Sequence, residues 1–121
     1  MKNNIILEKS SAFAVRIVNL SRYLKKKRTE AVLVSQLLRS GTSVAANVYE
    51  ATVSISKKEF YAKMCIALKE AKEANFWLKV LFESETLNVR EYKSISLQCS
   101  ELEKILFAIL KTIRRNNNEH L

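Results

Sequence analysis

Proline is absent from this chain and glycine occurs once, at Gly41. Average usage over 121 residues would give about six prolines and about eight glycines. These two residues punctuate turns and strands, so their scarcity disfavours a loop-rich or many-stranded architecture and favours long helices joined by short links. Histidine also occurs once, as His120 near the C-terminus, and cysteine twice, as Cys65 and Cys99. No CxxC is present, so no metal-ligand spacing emerges and neither a metal nor a cofactor is expected. Both cysteines fall on apolar helical stripes and read as small buried hydrophobes. No apolar stretch approaches the ~20 residues that span a bilayer. The opening MKNNIILEKS carries an apolar run of only three residues, too short for a signal peptide, so the expected location is the cytoplasm.

Apolar residues make up 48% and charged residues 27%, ordinary values for a globular chain of one domain, residues 1–121. The balance of charge is less ordinary. Lys and Arg number 21 against 12 Asp and Glu, giving a net charge of +9. Such an excess suits an anionic partner, most often nucleic acid. Solubility alone is the plainer explanation, and the low aromatic content, 8%, offers no recognition motif to accompany the charge.

Four amphipathic runs follow one another. In the first, Phe13, Ile17, Leu20 and Leu24 recur at helical spacing, and Lys25, Lys26 and Lys27 crowd the last turn, where cations favour the helix dipole. Thr29 is a candidate N-cap for the second. There Leu37, Gly41, Val44 and Val48 share a stripe, which places the lone glycine on the inward face. A break at RSGTS is the competing reading, but the apolar phase is kept across Gly41. An inward glycine lets a neighbouring helix come close, at a cost of roughly 1 kcal/mol in helix propensity. Ser56 with Glu59, and Asn88 with Glu91, have the spacing of capping boxes and open the third and fourth runs. Phe60, Met64, Ala67, Ala71, Ala74, Leu78 and Leu81 trace the third stripe; Tyr92, Ile95, Cys99, Leu102, Leu106, Ile109 and Ile113 trace the fourth. The expected fold is all-α, an antiparallel up-down-up-down four-helix bundle. Its helices should cover roughly residues 8–26, 30–52, 57–84 and 89–115, with a frayed tail at 116–121.

Two helices carry more than one adhesive side. Arg39, Ser43, Asn47 and Glu50 form a polar stripe on the second; Ile66, Glu70, Glu73 and Trp77 form a mixed one on the third. Apolar groups on an outer face, with Trp and Arg among them, mark interfaces. A solvated face with scattered hydrophobes is the bland alternative. Arg39 and Asn47 are expected to face Glu50, Glu70 or Glu73 of the same or a neighbouring copy, and these eight residues are the candidate subunit contacts.

The stretches FAVRIVNLSRYL, SQLLRSGTSVAANVYEA, SKKEFYAKMCIALKEAKEANFWLKVLFES and ELEKILFAILKTI, in that order, resemble the bacterial four-helix-bundle proteins encoded in 23S rRNA intervening sequences. The likeness runs from Phe13 to Ile113. It rests most on Arg39, Ser40, Gly41, Ser43, Asn47 and Glu50, with Lys69, Glu70, Glu73 and Trp77 on the next helix. Val44 and Val48 stand where the family often has isoleucine, and Phe76 where tyrosine is usual. The resemblance implies a cytoplasmic homo-oligomer, a ring of five bundles with a basic surface. It also implies kinship with the nucleic-acid-binding accessory proteins of diversity-generating retroelements. It implies no catalytic residues.

In an antiparallel bundle Lys25, Lys26, Lys27 and Arg28 share one end with Arg90 and Lys93, while Lys57, Lys58, Lys111, Arg114 and Arg115 share the other. The first four and the last five are the candidate nucleic-acid contacts, suited to phosphates and not to base readout. RNA is preferred over DNA only because of the family's place in rRNA genes. An enzyme is not expected: there is no GxSxG, no P-loop, and no base beside Ser40, Ser43 or Cys65. Glu50, Glu70 and Glu73 could hold Mg²⁺, but Arg39 and Lys69 make ion pairing the better reading. The alternative function is a scaffold that binds a protein such as a reverse transcriptase or an RNA-processing enzyme.

Overall fold

The computed structural model describes residues 2–119, with side chains described for 5–117. Those residues form four helices and no strand: α1 (Lys2–Lys26), α2 (Ala31–Thr52), α3 (Lys57–Glu83) and α4 (Val89–Glu119). Each helix packs on the next, and α1 meets α4 across a looser seam. Partner numbers fall as residue numbers rise, as they do between antiparallel helices: Lys9 reaches Glu101, Arg16 reaches Gln98 and Ser94, and Lys27 reaches Thr86.

Most of the predicted stripe residues are core, but Leu20, Phe60, Tyr92 and Ile109 are only partly buried against it, Ile113 is half-buried, and Leu110 takes the buried place near the end of α4. Phe13, Ile17, Leu24, Leu37, Val44, Val48, Met64, Leu78, Cys99, Leu102 and Leu106 are all fully buried. No helix among the described residues is long and apolar enough to cross a membrane.

α2 is continuous through Gly41, which is buried against α1. A Cβ built there would lie 2.8 and 2.9 Å from Cγ1 and Cγ2 of Ile17. The helix carries a glycine because the isoleucine of its neighbour occupies the place of the missing methyl.

Several expected boundaries move. α1 begins at Lys2, six residues before the predicted start, because Ile6 continues the stripe of Phe13 inward and is fully buried. α4 runs on to Glu119 through the segment expected to fray; its asparagines lower helix propensity without breaking the ladder. His120 and Leu121 lie outside the described residues. Thr29 is not the N-cap of α2. Glu30 holds that position and makes no side-chain cap bond. Thr29 is already committed to closing α1: its N–H donates to the Leu24 carbonyl at 3.0 Å, and that of Arg28 to the Lys25 carbonyl at 3.0 Å.

The same closure ends α3, where the N–H groups of Thr86 and Glu85 donate to Leu81 and Phe82 at 2.8 and 3.0 Å. This C-cap needs one left-handed residue, normally glycine. Here Arg28 (φ 62°) and Glu85 (φ 65°) adopt that conformation instead. A side chain there costs roughly 1–2 kcal/mol. Glu85→Gly is therefore expected to stabilise the protein by about 1 kcal/mol once glycine's greater unfolded-state freedom is subtracted. Thermal unfolding checks this as a rise of a few degrees; a lowered midpoint would show that the Glu85 side chain contributes more than its backbone strain costs.

Both of the other expected N-caps form, Ser56 as a single cap bond without the reciprocal one from Glu59, and Asn88 as a complete box. Ser56 Oγ accepts from the Glu59 N–H at 3.0 Å. Asn88 Oδ1 accepts from the Glu91 N–H at 2.8 Å while Glu91 Oε1 accepts from the Asn88 N–H at 2.9 Å, the full reciprocal box.

Candidate nucleic-acid and subunit interfaces

The polar stripes of α2 and α3 meet at the seam between those helices. Arg39 donates through Nη1 to Glu70 Oε2 at 2.9 Å and through Nη2 to Glu73 Oε2. Trp77 Nε1 donates to the same Glu73 oxygen at 3.0 Å. The Trp77 and Arg39 hydrogen bonds hold the Glu73 carboxyl below its ordinary range, so it stays ionised through the neutral range. Among the described residues Glu70 is the one buried acid, 8% exposed, and the guanidinium is what makes its burial tolerable.

The remaining candidate subunit contacts lie close by but outside this network. Glu50 pairs with Lys63 at 2.7 Å. Asn47 donates to the Ser43 carbonyl on its own helix at 2.9 Å. Ile66 is 41% exposed. The helical pattern sets Trp77 apart from the core stripe; its ring is nevertheless half-buried and packs against the core, with Phe76 edge-on at 5.1 Å. Phe76 is the more exposed of the two rings, at 55%. The sequence pattern gives no sign of Phe76 as a surface feature, because it belongs to neither stripe of α3 and stands out only by its contrast with tyrosine.

Glu70 and Glu73 share the Arg39 guanidinium, and Glu50 stands apart from them. Each carboxylate faces a cation of this chain, and among the described residues no cluster of three metal-ligating side chains occurs.

The cations gather at the two ends as expected. Lys27 Nζ donates to the Thr86 carbonyl at 3.2 Å and lies 5.1 Å from the Tyr23 ring centre, which brings the end of α1 to the α3–α4 turn and hence to Arg90 and Lys93. At the opposite end Arg114 donates to the Tyr61 hydroxyl and lies over its ring, which brings the last turns of α4 to the start of α3, where Lys57 and Lys58 sit. Lys25, Lys26, Lys27, Arg28, Lys57, Lys58, Lys111, Arg114 and Arg115 are all exposed. Among the described residues none of the nine has a carboxylate within ion-pair distance.

Of the two cysteines expected to be buried, Cys65 is only half-buried and Cys99 is fully buried. Cys99 donates to the Ala71 carbonyl at 3.2 Å, and burial pushes its thiol up to about 12.

Comparison with known proteins gives two findings. The family model for the 23S rRNA-intervening sequence protein matches residues 2–108. A crystal structure of a protein of unknown function from the S23 ribosomal protein family of Bacteroides thetaiotaomicron is 44% identical, with a TM-score of 0.88; the match covers 92% of this chain and 99% of that one. The curated proteins give no match.

Proposed function

The chain belongs to the 23S rRNA-intervening sequence protein family, and from that premise we propose that it is a non-enzymatic, cytoplasmic RNA-binding protein that works through phosphate contacts. Its up-down-up-down bundle is the repeating unit of a homo-oligomer, a ring of five, akin to the accessory proteins of diversity-generating retroelements. The two stripes of α2 and α3 supply the subunit contacts.

The observation that carries the RNA-binding proposal is the set of nine exposed cations without carboxylate partners among the described residues, divided between the two ends of one bundle. A cation whose charge is already paired with a carboxylate of the chain has little to offer a phosphate. These nine do, and their charge repeats in every copy of an oligomer. Point contacts of this kind bind backbone without reading bases.

Filter binding to short RNA across a salt series tests this. The affinity should fall steeply with salt. Replacing Lys25, Lys26, Lys27 and Arg28 with glutamine should lower the log–log salt slope by about four, one for each cation that no longer meets a phosphate. Light scattering should report the same particle mass for both proteins. Weak binding with no salt slope favours the scaffold that holds a protein partner.

A further inference from the structure

With the inward face of α4 fixed by Ile95, Cys99, Leu102 and Leu106, its opposite face can be read residue by residue. Stepping by three or four from the first turn, the outermost positions include Arg90, Lys93, Lys104, Lys111 and Arg115, all exposed. Among the described residues none of these five is ion-paired. The positions between them are Leu97, Glu101 and Ala108, and the one acid is neutralised by Lys9 of α1 at 3.0 Å. The result is a straight ridge of uncompensated positive charge that joins the two basic ends over about 37 Å of helix axis.

We propose that this ridge is a docking surface for double-stranded RNA. The proposal rests on the RNA-binding reading above and narrows it to one face and one form of nucleic acid. Three observations favour the duplex. A rigid rod of charge matches a stiff duplex, which carries a phosphate every ~1.7 Å of its axis, better than a flexible strand that must be straightened to follow it. Single-strand sites stack successive bases on several aromatic rings; Phe107 is the one exposed ring on α4, and it stands alone. Finally, α4 does not protrude. It is flanked by α1 and α3, and packed helices lie about 8–10 Å apart. A groove about 12 Å wide, such as the B-DNA major groove, admits one helix and not its neighbours. Backbone contact across a wide, shallow groove meets no such limit, and A-form RNA presents such a groove.

The experiment uses the full-length protein and three probes of one sequence: a 16-base-pair RNA duplex, the matching DNA duplex and the single-stranded RNA. The wild-type protein should bind the RNA duplex at least tenfold more tightly than the single strand. Lys93→Gln, Lys104→Gln and Lys111→Gln together should lower the salt slope on duplex RNA by about three, while Phe107→Ala leaves binding unchanged. All four substitutions lie on exposed side chains, and matched circular dichroism spectra establish that the fold is kept. Equal binding by the triple variant overturns the ridge and removes Lys111 from the end contacts, but leaves RNA binding by Lys25, Lys26, Lys27, Arg28, Lys57 and Lys58 standing. Tighter binding to single-stranded RNA that is lost in Phe107→Ala overturns the duplex assignment. DNA duplex binding equal to RNA overturns the choice of RNA. No salt-dependent binding by the wild type to any probe removes both this surface and the function from which it was drawn.

Discussion

Leu37→Asp leaves a chain with no cooperative unfolding transition. Leu37 is fully buried in the middle of α2, with Val34, Gly41 and Val44 on the same face. The nearest cation in sequence, Arg39, is turned to the α2–α3 seam and already holds Glu70 and Glu73. An aspartate at position 37 would therefore be a buried charge without a partner. Loss of the leucine alone costs about 2–5 kcal/mol, as truncation of a core leucine does. Desolvation or forced protonation of the carboxyl adds several more. The sum reaches the whole stability of an ordinary domain, about 5–15 kcal/mol. Circular dichroism during heating should show a shallow, non-sigmoidal loss of helix. Val32→Asp is the matched control: it puts the same charge on the same helix at a position 72% exposed, in the first turn, where the dipole favours an anion. Its midpoint should stay within a few degrees of the parent's. A normal melt for Leu37→Asp would mean that α2 buries a different face.

Features decided within a few residues of chain were legible in the sequence. The Ser56 N-cap and the Asn88 capping box are examples, because donor and acceptor lie three positions apart and need no tertiary partner. The core stripes were legible for the same reason: a 3.6-residue period belongs to the helix itself. The start of α1 was not. Ile6 reveals itself as a core residue only when the rest of the bundle is there to cover it. The ends of α1 and α3 were hidden because the sequence signal for a left-handed cap is glycine, and Arg28 and Glu85 stand there instead.

The candidate site was legible in part. Pairing of Arg39 with Glu70 or Glu73 follows from charge and helix phase, and both bonds form within one chain. The partners of Asn47 and Glu50 did not follow, since a side chain on a flank can turn to its own backbone or to the next helix with little difference in energy. Trp77 sits on such a flank, and packing draws in a ring that a helical wheel leaves at the margin. The α4 ridge is hidden in the sequence for another reason. Its cations are separated by up to eleven residues and never form a run like that at 25–28, so they align only once the buried face of α4 is known.

Gly41→Leu is expected to unfold the protein, and Gly41→Ala to destabilise it although alanine is the better helix former. On propensity alone, alanine in place of a mid-helix glycine gains about 1 kcal/mol. Against this, the new methyl would lie 2.8, 2.9 and 3.2 Å from Cγ1, Cγ2 and Cβ of Ile17, all closer than ordinary carbon contacts. Ile17 cannot swing aside. A β-branched side chain in a helix has one strongly favoured rotamer, and this one is fully buried. The backbones of α1 and α2 must separate instead, which loosens the packing along their length. Overpacking of this kind costs about 1–3 kcal/mol, enough to reverse the propensity gain for alanine. Leucine adds three more carbons to the same gap. The mechanism is separable from general intolerance through a double-mutant cycle. Ile17→Ala alone opens a cavity and lowers stability by about 2–5 kcal/mol. In that background Gly41→Ala should become neutral or stabilising, because Cγ1 and Cγ2 are gone and the remaining contact with Cβ at 3.2 Å needs a shift of only a few tenths of an ångström, which costs less than the propensity gain. Urea unfolding of the four proteins gives the coupling energy directly. If Gly41→Ala stabilises the parent, the two helices are farther apart than the Ile17 contact requires; if it destabilises both backgrounds equally, the constraint on residue 41 comes from something other than Ile17.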